Sequence, residues 1–222
     1  MNIATLLETA ALTARDKAAL SSPHETVLTY GAFRARAARL AAGLAASGLA
    51  PGERVALAMS NGTEYYEVMF GAWMAGLCVA PMNPRLHVRE FAFAIADSGA
   101  RLCFATPDIA PGLAAELGDA CRVVEIGGPD FEALFANAPA PMVEAAGDAP
   151  AWLFYTSGTT GKPKGAVLTH RNLMAMTVSF IADSGTCVAV NIPLLAPLSH
   201  ARSDPCLPYS APPRHHLVFH TP

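Results

Sequence analysis

The run Thr156-Ser157-Gly158-Thr159-Thr160-Gly161-Lys162-Pro163-Lys164-Gly165 gathers hydroxyls, glycines and ammonium groups in a chain that otherwise avoids lysine. Of three lysines, set against twelve arginines, two stand here and the third is Lys17. Gly158, Gly161 and Gly165 permit positive φ and let backbone N–H groups approach an anion closely, as a concave nest. Thr156, Ser157, Thr159 and Thr160 add hydroxyl donors, and Lys162 and Lys164 add point charges. A polyphosphate is the anion best matched to so many donors, each hydrogen bond to a charged oxygen contributing roughly 1.5–3 kcal/mol. The plainer alternative is a solvated Gly/Ser/Thr turn, but a solvated surface in this chain would be written in arginine. A Walker-type loop does not fit, because only two residues separate Gly158 from Gly161 and Pro163 follows Lys162 where Ser or Thr is required.

Such a loop must be held by regular elements on both sides. Trp152-Leu153-Phe154-Tyr155 is a short apolar run suited to a strand, and a second strand is predicted over Gly165–Thr169, with a helix from near His170. The loop therefore joins two strands. Upstream, Tyr30, Phe33, Ala37, Leu40 and Leu44 recur at helical spacing, with Arg34, Arg36 and Arg39 turned outward. A buried strand over 54–59 follows. Asn61 and Glu64 resemble a capping pair for a helix whose Tyr66, Phe70 and Trp73 are core residues. Strands over 77–80, 101–105 and 121–126 alternate with helices near 87–98, 112–118 and 130–136, and Asn83-Pro84 forms a turn. Pro139, Pro141, Gly147 and Pro150 mark a surface connection. The alternation predicts an α/β fold of layered sheets flanked by helices, with largely parallel strands.

Composition agrees with a core-rich globular chain: of 222 residues, 52% are hydrophobic and 15% charged. The net charge of −3 offers no basic field for nucleic acid. Although the mean hydropathy is +0.31, the longest charge-free stretch, Val68–Pro84, contains glycines and prolines. It falls short of the ~20 apolar residues of a membrane span. The N-terminus has no basic leader, and Glu8 interrupts what would be an apolar signal. Five cysteines (78, 103, 121, 187 and 206) without a CxxC pair imply reduced thiols in the core and a cytoplasmic setting.

Tyr155 to Gly165 (YTSGTTGKPKG) resembles, without a gap, the signature loop of the adenylate-forming superfamily of acyl-CoA synthetases, luciferases and nonribosomal adenylation domains. Gly71–Gly76 running on to Val79–Pro84 looks like the upstream motif of that family, and Ala196-Pro197-Leu198-Ser199-His200 like the downstream one. The resemblance implies a two-step reaction. A carboxylate attacks the α-phosphate of MgATP to give an acyl-adenylate and pyrophosphate, and a thiol, usually coenzyme A, then takes the acyl group. It assigns Thr156, Ser157, Gly158, Thr159, Thr160, Gly161, Lys162, Lys164 and Gly165 to the phosphates, Thr160 to the neighbourhood of the metal, and His200 to the acyl and adenylate pocket.

The family's later nucleotide-site motifs, hinge and C-terminal domain with a catalytic lysine find no counterpart, so no catalytic residue is assigned. The expectation is residues 1–200 as the N-terminal portion of an AMP-binding domain, the C-terminal domain being absent. Residues 201–222 hold five prolines and three of the seven histidines, His215, His216 and His220. They are expected to be an aberrant or disordered tail, as from a frameshift near codon 200. On this reading the chain alone is inactive. The alternative from another class is a non-catalytic nucleotide-binding or interaction module.

Overall fold

A computed structural model describes residues 1–21, 26–156, 163–184 and 217–218. In chain order the first elements are α1 (Thr5–Thr13), β1 (Ala18–Ser21), β2 (Thr26–Thr29), α2 (Tyr30–Ala46), β3 (Arg54–Ala58) and α3 (Thr63–Met74). There follow β4 (Cys78–Pro81), α4 (Val88–Ser98), β5 (Leu102–Ala105), α5 (Ala110–Leu117), β6 (Arg122–Glu125) and α6 (Pro129–Ala133). The last are β7 (Pro150–Thr156), β8 (Lys164–Thr169), α7 (His170–Ser184) and the short β9 (Leu217–Val218). The main sheet has the order β6-β5-β3-β4-β7-β8. Its strands run parallel except β8, which returns antiparallel to β7. A small sheet pairs β2 with β1 antiparallel and β9 with β1 parallel.

The two faces of the main sheet differ in side-chain volume, and strand alternation is the cause. Val55, Leu57, Val79, Leu102 and Phe104 point to one face, where Phe33 and Leu40 of α2 and Phe70 and Trp73 of α3 complete the larger core. Their neighbours Ala56, Ala58, Ala80, Cys103 and Ala105 point to the other, where Phe91 and Ile95 of α4 and Leu113 of α5 fill the space the small residues leave. Trp73 anchors the first face: its indole Nε1 donates to the Ala151 carbonyl at 2.8 Å. Its ring lies 5.1 Å from Phe70 and 6.2 Å from Trp152.

Several local expectations need correction. The cap of α3 is Gly62, which makes no side-chain capping bond, so Asn61 and Glu64 do not form the pair the sequence offered. The capping box stands instead at α4, where the His87 imidazole accepts from the Arg89 N–H at 3.3 Å and Glu90 accepts from the His87 N–H at 2.8 Å. Nor are the arginines of α2 merely turned outward. Arg34 donates to Glu8 at 2.9 Å. Arg36 forks onto the buried carboxylate of Glu67, with its guanidinium 4.4 Å from the centre of the Phe135 ring. Burial pushes the Glu67 carboxyl up and the Arg36 hydrogen bonds pull it back, while the same bonds raise Arg36. The connection after α6 is a strap rather than a loose loop: Ala140 N–H donates to Ala38 and Val143 N–H to Met74. Asn2 ties it down, donating to the carbonyls of Trp73 (2.6 Å) and Val143 (3.0 Å).

Cys78, Cys103 and Cys121 are free, buried thiols, in accord with their reading as core residues. Among the described residues, no helix is long and apolar enough to cross a membrane.

Candidate active site

β7 and β8 form the hairpin that the sequence placed around the loop. Their ladder runs Trp152↔Leu168, Leu153↔Val167, Phe154↔Ala166, Tyr155↔Gly165 and Thr156↔Lys164. The last pair sets the mouth of the loop: Thr156 and Lys164 face each other there, both exposed. Because β7 runs parallel to β4, this mouth opens at the carboxyl edge of the parallel strands, the edge where open α/β sheets bind ligands. Ser157, Gly158, Thr159, Thr160, Gly161 and Lys162 lie outside the described residues, as does His200. Lys164 makes no ion pair among the described residues, which leaves its ammonium available to an anion at the mouth.

Gly165 departs from expectation. Its φ is not positive, so backbone freedom is not what calls for glycine there, and a side chain would crowd a neighbour. A Cβ at this position would lie 3.2 Å from Cζ of the Tyr155 ring, which lies across the ladder against it. The Tyr155 hydroxyl then reaches helix α4 and donates to Asp97 Oδ2 at 2.8 Å. Burial and the Asp97 carboxylate together hold the phenol above its ordinary range.

Below this clasp an open cleft of about 390 Å³ runs between α4 and the hairpin, lined by Arg54, Cys78, Leu153 and Val167 among others. Arg54 is occupied in closing α4, its Nε donating to the Ser98 carbonyl at 2.8 Å and its Nη2 to Gly99 at 3.1 Å. Burial pushes the Cys78 thiol up to about 12, so it is a poor nucleophile.

The far end of the hairpin is fixed by α7. Thr169 and Asn172 cap the helix reciprocally: Asn172 Oδ1 accepts from the Thr169 N–H at 3.0 Å, and Thr169 Oγ1 accepts from the Asn172 N–H at 3.2 Å. His170 is buried and its Nδ1 accepts from the Ile3 N–H at 3.1 Å, which joins the start of α7 to the N-terminus. This agrees with the sequence reading that His170 opens a helix. Burial and the nearby N-terminal ammonium hold its imidazole below the ordinary value. Among the described residues no group of three His, Cys, Asp or Glu side chains is arranged to hold a metal ion.

The contact beside the loop that sequence reasoning missed is the one between Tyr155 and Asp97. Tyr155 is legible as a strand residue and as the first residue of the loop signature, but nothing near it in sequence points to a carboxylate 58 residues upstream.

Comparison with known proteins bears on the fold and the family. A feruloyl-CoA synthase of Amycolatopsis is 38% identical over 196 residues, which cover 84% of this chain and 39% of that protein. The long-chain-fatty-acid–CoA ligase FadD13 of Mycobacterium tuberculosis is 32% identical over 212 residues, 93% of this chain and 42% of the relative. The inhibitor-bound N-terminal domain of FACL13 from Mycobacterium tuberculosis superposes with a TM-score of 0.74 at 33% identity, over 82% of this chain and 47% of that one. The chain thus spans about two-fifths of the length of the curated relatives it matches. Residues 7–207 match the family described as AMP-binding enzyme, and the chain belongs to that family, aligning with the N-terminal part of adenylate-forming acyl-CoA ligases.

Proposed function

We propose that this chain is the phosphate-gripping, N-terminal portion of an ATP-dependent acid–thiol ligase. The observation that carries the reading is the hairpin register. It brings Thr156 and Lys164 together, exposed, at the carboxyl edge of the sheet, at the two ends of a loop whose intervening residues are three hydroxyls, two glycines, Lys162 and Pro163. These groups fit the β- and γ-phosphates of ATP, which become the leaving pyrophosphate. Thr156, Ser157, Thr159 and Thr160 donate hydrogen bonds to phosphate oxygens, and Lys162 and Lys164 neutralise charge. Magnesium, if bound with the phosphates, would supply further charge neutralisation, and Thr160 is the residue of this loop we assign to its neighbourhood.

The residues of this chain act by positioning and charge stabilisation, the main levers in phosphoryl chemistry. The attacking carboxylate oxygen forms a bond to the α-phosphorus as the bond to the bridging oxygen breaks, and the electron pair leaves with pyrophosphate. Holding that leaving group still and partly neutralised lowers the barrier without any proton transfer by the loop. The carboxylic acid and coenzyme A are the remaining substrates, and we assign His200, by its place in the downstream motif, to the acyl pocket. We assign residues 1–200 to the N-terminal portion of the AMP-binding domain.

Exchange of labelled pyrophosphate into ATP, run with a panel of carboxylates, tests the reading together with MgATP binding. Acid-dependent exchange supports the ligase. Binding without exchange fits the N-terminal portion acting without the rest of its ligase as well as a nucleotide-binding module, and the absence of both refutes the reading.

A further inference from the structure

We propose that Tyr155 is a positioning residue for the phosphate loop, clasping the root of the hairpin to helix α4 through Asp97 and to β8 through Gly165. The inference rests on the polyphosphate reading of the loop.

Three contacts meet at this side chain. Its backbone is one rung below the mouth, paired with Gly165. Its ring lies against Gly165 so closely that a Cβ there would come within 3.2 Å of Cζ and 3.4 Å of Cε1 and Oη. Its hydroxyl donates to Asp97 at 2.8 Å. A hairpin at the edge of a sheet needs such an anchor. β8 has no strand on its outer side among the described residues, and Lys164, Gly165, Ala166 and Val167 are all exposed. Burial therefore does little to fix β8. The phenol crosses from β7 to the last turn of α4 and bridges the open cleft. A bond to the carboxylate at that point ties the outer hairpin to the doubly packed part of the sheet.

The consequence concerns order rather than contact with ligand. Donors aimed at a polyphosphate are effective only when held near their binding geometry before it arrives. Thr156 and Lys164 follow Tyr155 and precede Gly165, so any tilt of this rung moves both ends of the loop. Gly165 is thereby assigned to accommodating the ring, a role that the phosphates themselves do not require.

The experiment titrates MgATP and, separately, inorganic tripolyphosphate into the purified chain and into variants, with thermal unfolding followed in parallel. Tyr155→Phe keeps the ring and removes the bond. It is expected to weaken both probes about tenfold, the scale of one hydrogen bond to a charged group. Asp97→Ala should match it, and the double variant should be no weaker than either single one. Asp97→Asn retains an acceptor oxygen and should recover most of the affinity.

A bond of purely structural value would lower the unfolding midpoint and leave the affinity of the folded protein untouched. Parental affinity in Tyr155→Phe therefore overturns the clasp. Replacing Lys162 and Lys164 together by Ala separates the two claims. If that pair abolishes binding while Tyr155→Phe does not, only the clasp fails. If the parent binds neither probe, or binds equally without the lysines, the loop reading fails and takes the clasp with it.

Discussion

From Tyr65 to Ala80 nearly every residue of α3 and β4 is buried, whereas from Lys164 to Val167 every residue of β8 faces solvent. The two regions are neighbours, joined through β4 and β7, yet they are specified by different physics. In the first, identity is set by volume. Trp73 fits against Phe70 and Trp152, and Gly71 is small because a Cβ there would come within 2.9 Å of the Leu40 side chain. In the second, apart from Gly165 against the Tyr155 ring, side-chain volume is not constrained, and on the proposed reading Lys164 and the loop before it answer to a ligand. The first region should lose stability when changed and keep its affinity. The second should do the reverse.

The largest expected effect lies in the packed region. Trp73→Ala removes a fully buried indole and its hydrogen bond to Ala151, and should cost about 3–5 kcal/mol in denaturant unfolding. Affinity for MgATP, corrected for the folded fraction, should not change. A loss of affinity in the folded protein would blur the division between the regions.

Arg36→Met comes next. Glu67 is buried, and its fork from Arg36 is its compensation. Removing one partner of a buried pair costs about 3–5 kcal/mol, but Arg36 is itself more than a third exposed, so about 2 kcal/mol is expected after solvent screening. The methionine retains contact with Phe135, which isolates the charge. A value near zero would mean that Glu67 takes up a proton freely when unpaired.

How legible these regions were follows the same division. Helices and strands from residue 30 onward announce themselves by apolar periodicity, and Tyr66, Phe70 and Trp73 are as buried as their spacing predicts. The first 29 residues do not, because β1 and β2 are four residues each and gain their order from each other and from α2. The cap of α4 is hidden for another reason: histidine is not among the usual N-cap residues. Arg36 looks like its neighbours Arg34 and Arg39 on a helical wheel, and its partner lies 31 residues away. At the hairpin the two strands were legible from sequence, and the ladder bears out a loop between them. The contact of Gly165 with the Tyr155 ring was not legible, because in a loop signature a glycine beside a ring reads the same as one at positive φ.

The smallest expected effect sharpens the link between the hairpin and the N-terminus. His170 is held below its ordinary value by burial, so the unfolded chain takes up its proton first as the pH falls. The stability it contributes is present above about pH 6.5 and is lost as the pH drops toward the lower folded value. His170→Asn keeps an acceptor for the Ile3 N–H and removes the titration. Unfolding free energies measured from pH 7.5 to 5 should therefore decline less steeply in the variant, and identical slopes would show that His170 does not carry this dependence.

The most direct test of the whole account is the affinity of the chain for MgATP with Lys162 and Lys164 both replaced by alanine. Loss of two charge-assisted contacts should weaken binding by at least about a hundredfold, with the unfolding midpoint unmoved because Lys164 is exposed and unpaired among the described residues. Affinity equal to that of the parent chain would contradict the claim that this hairpin grips the phosphates.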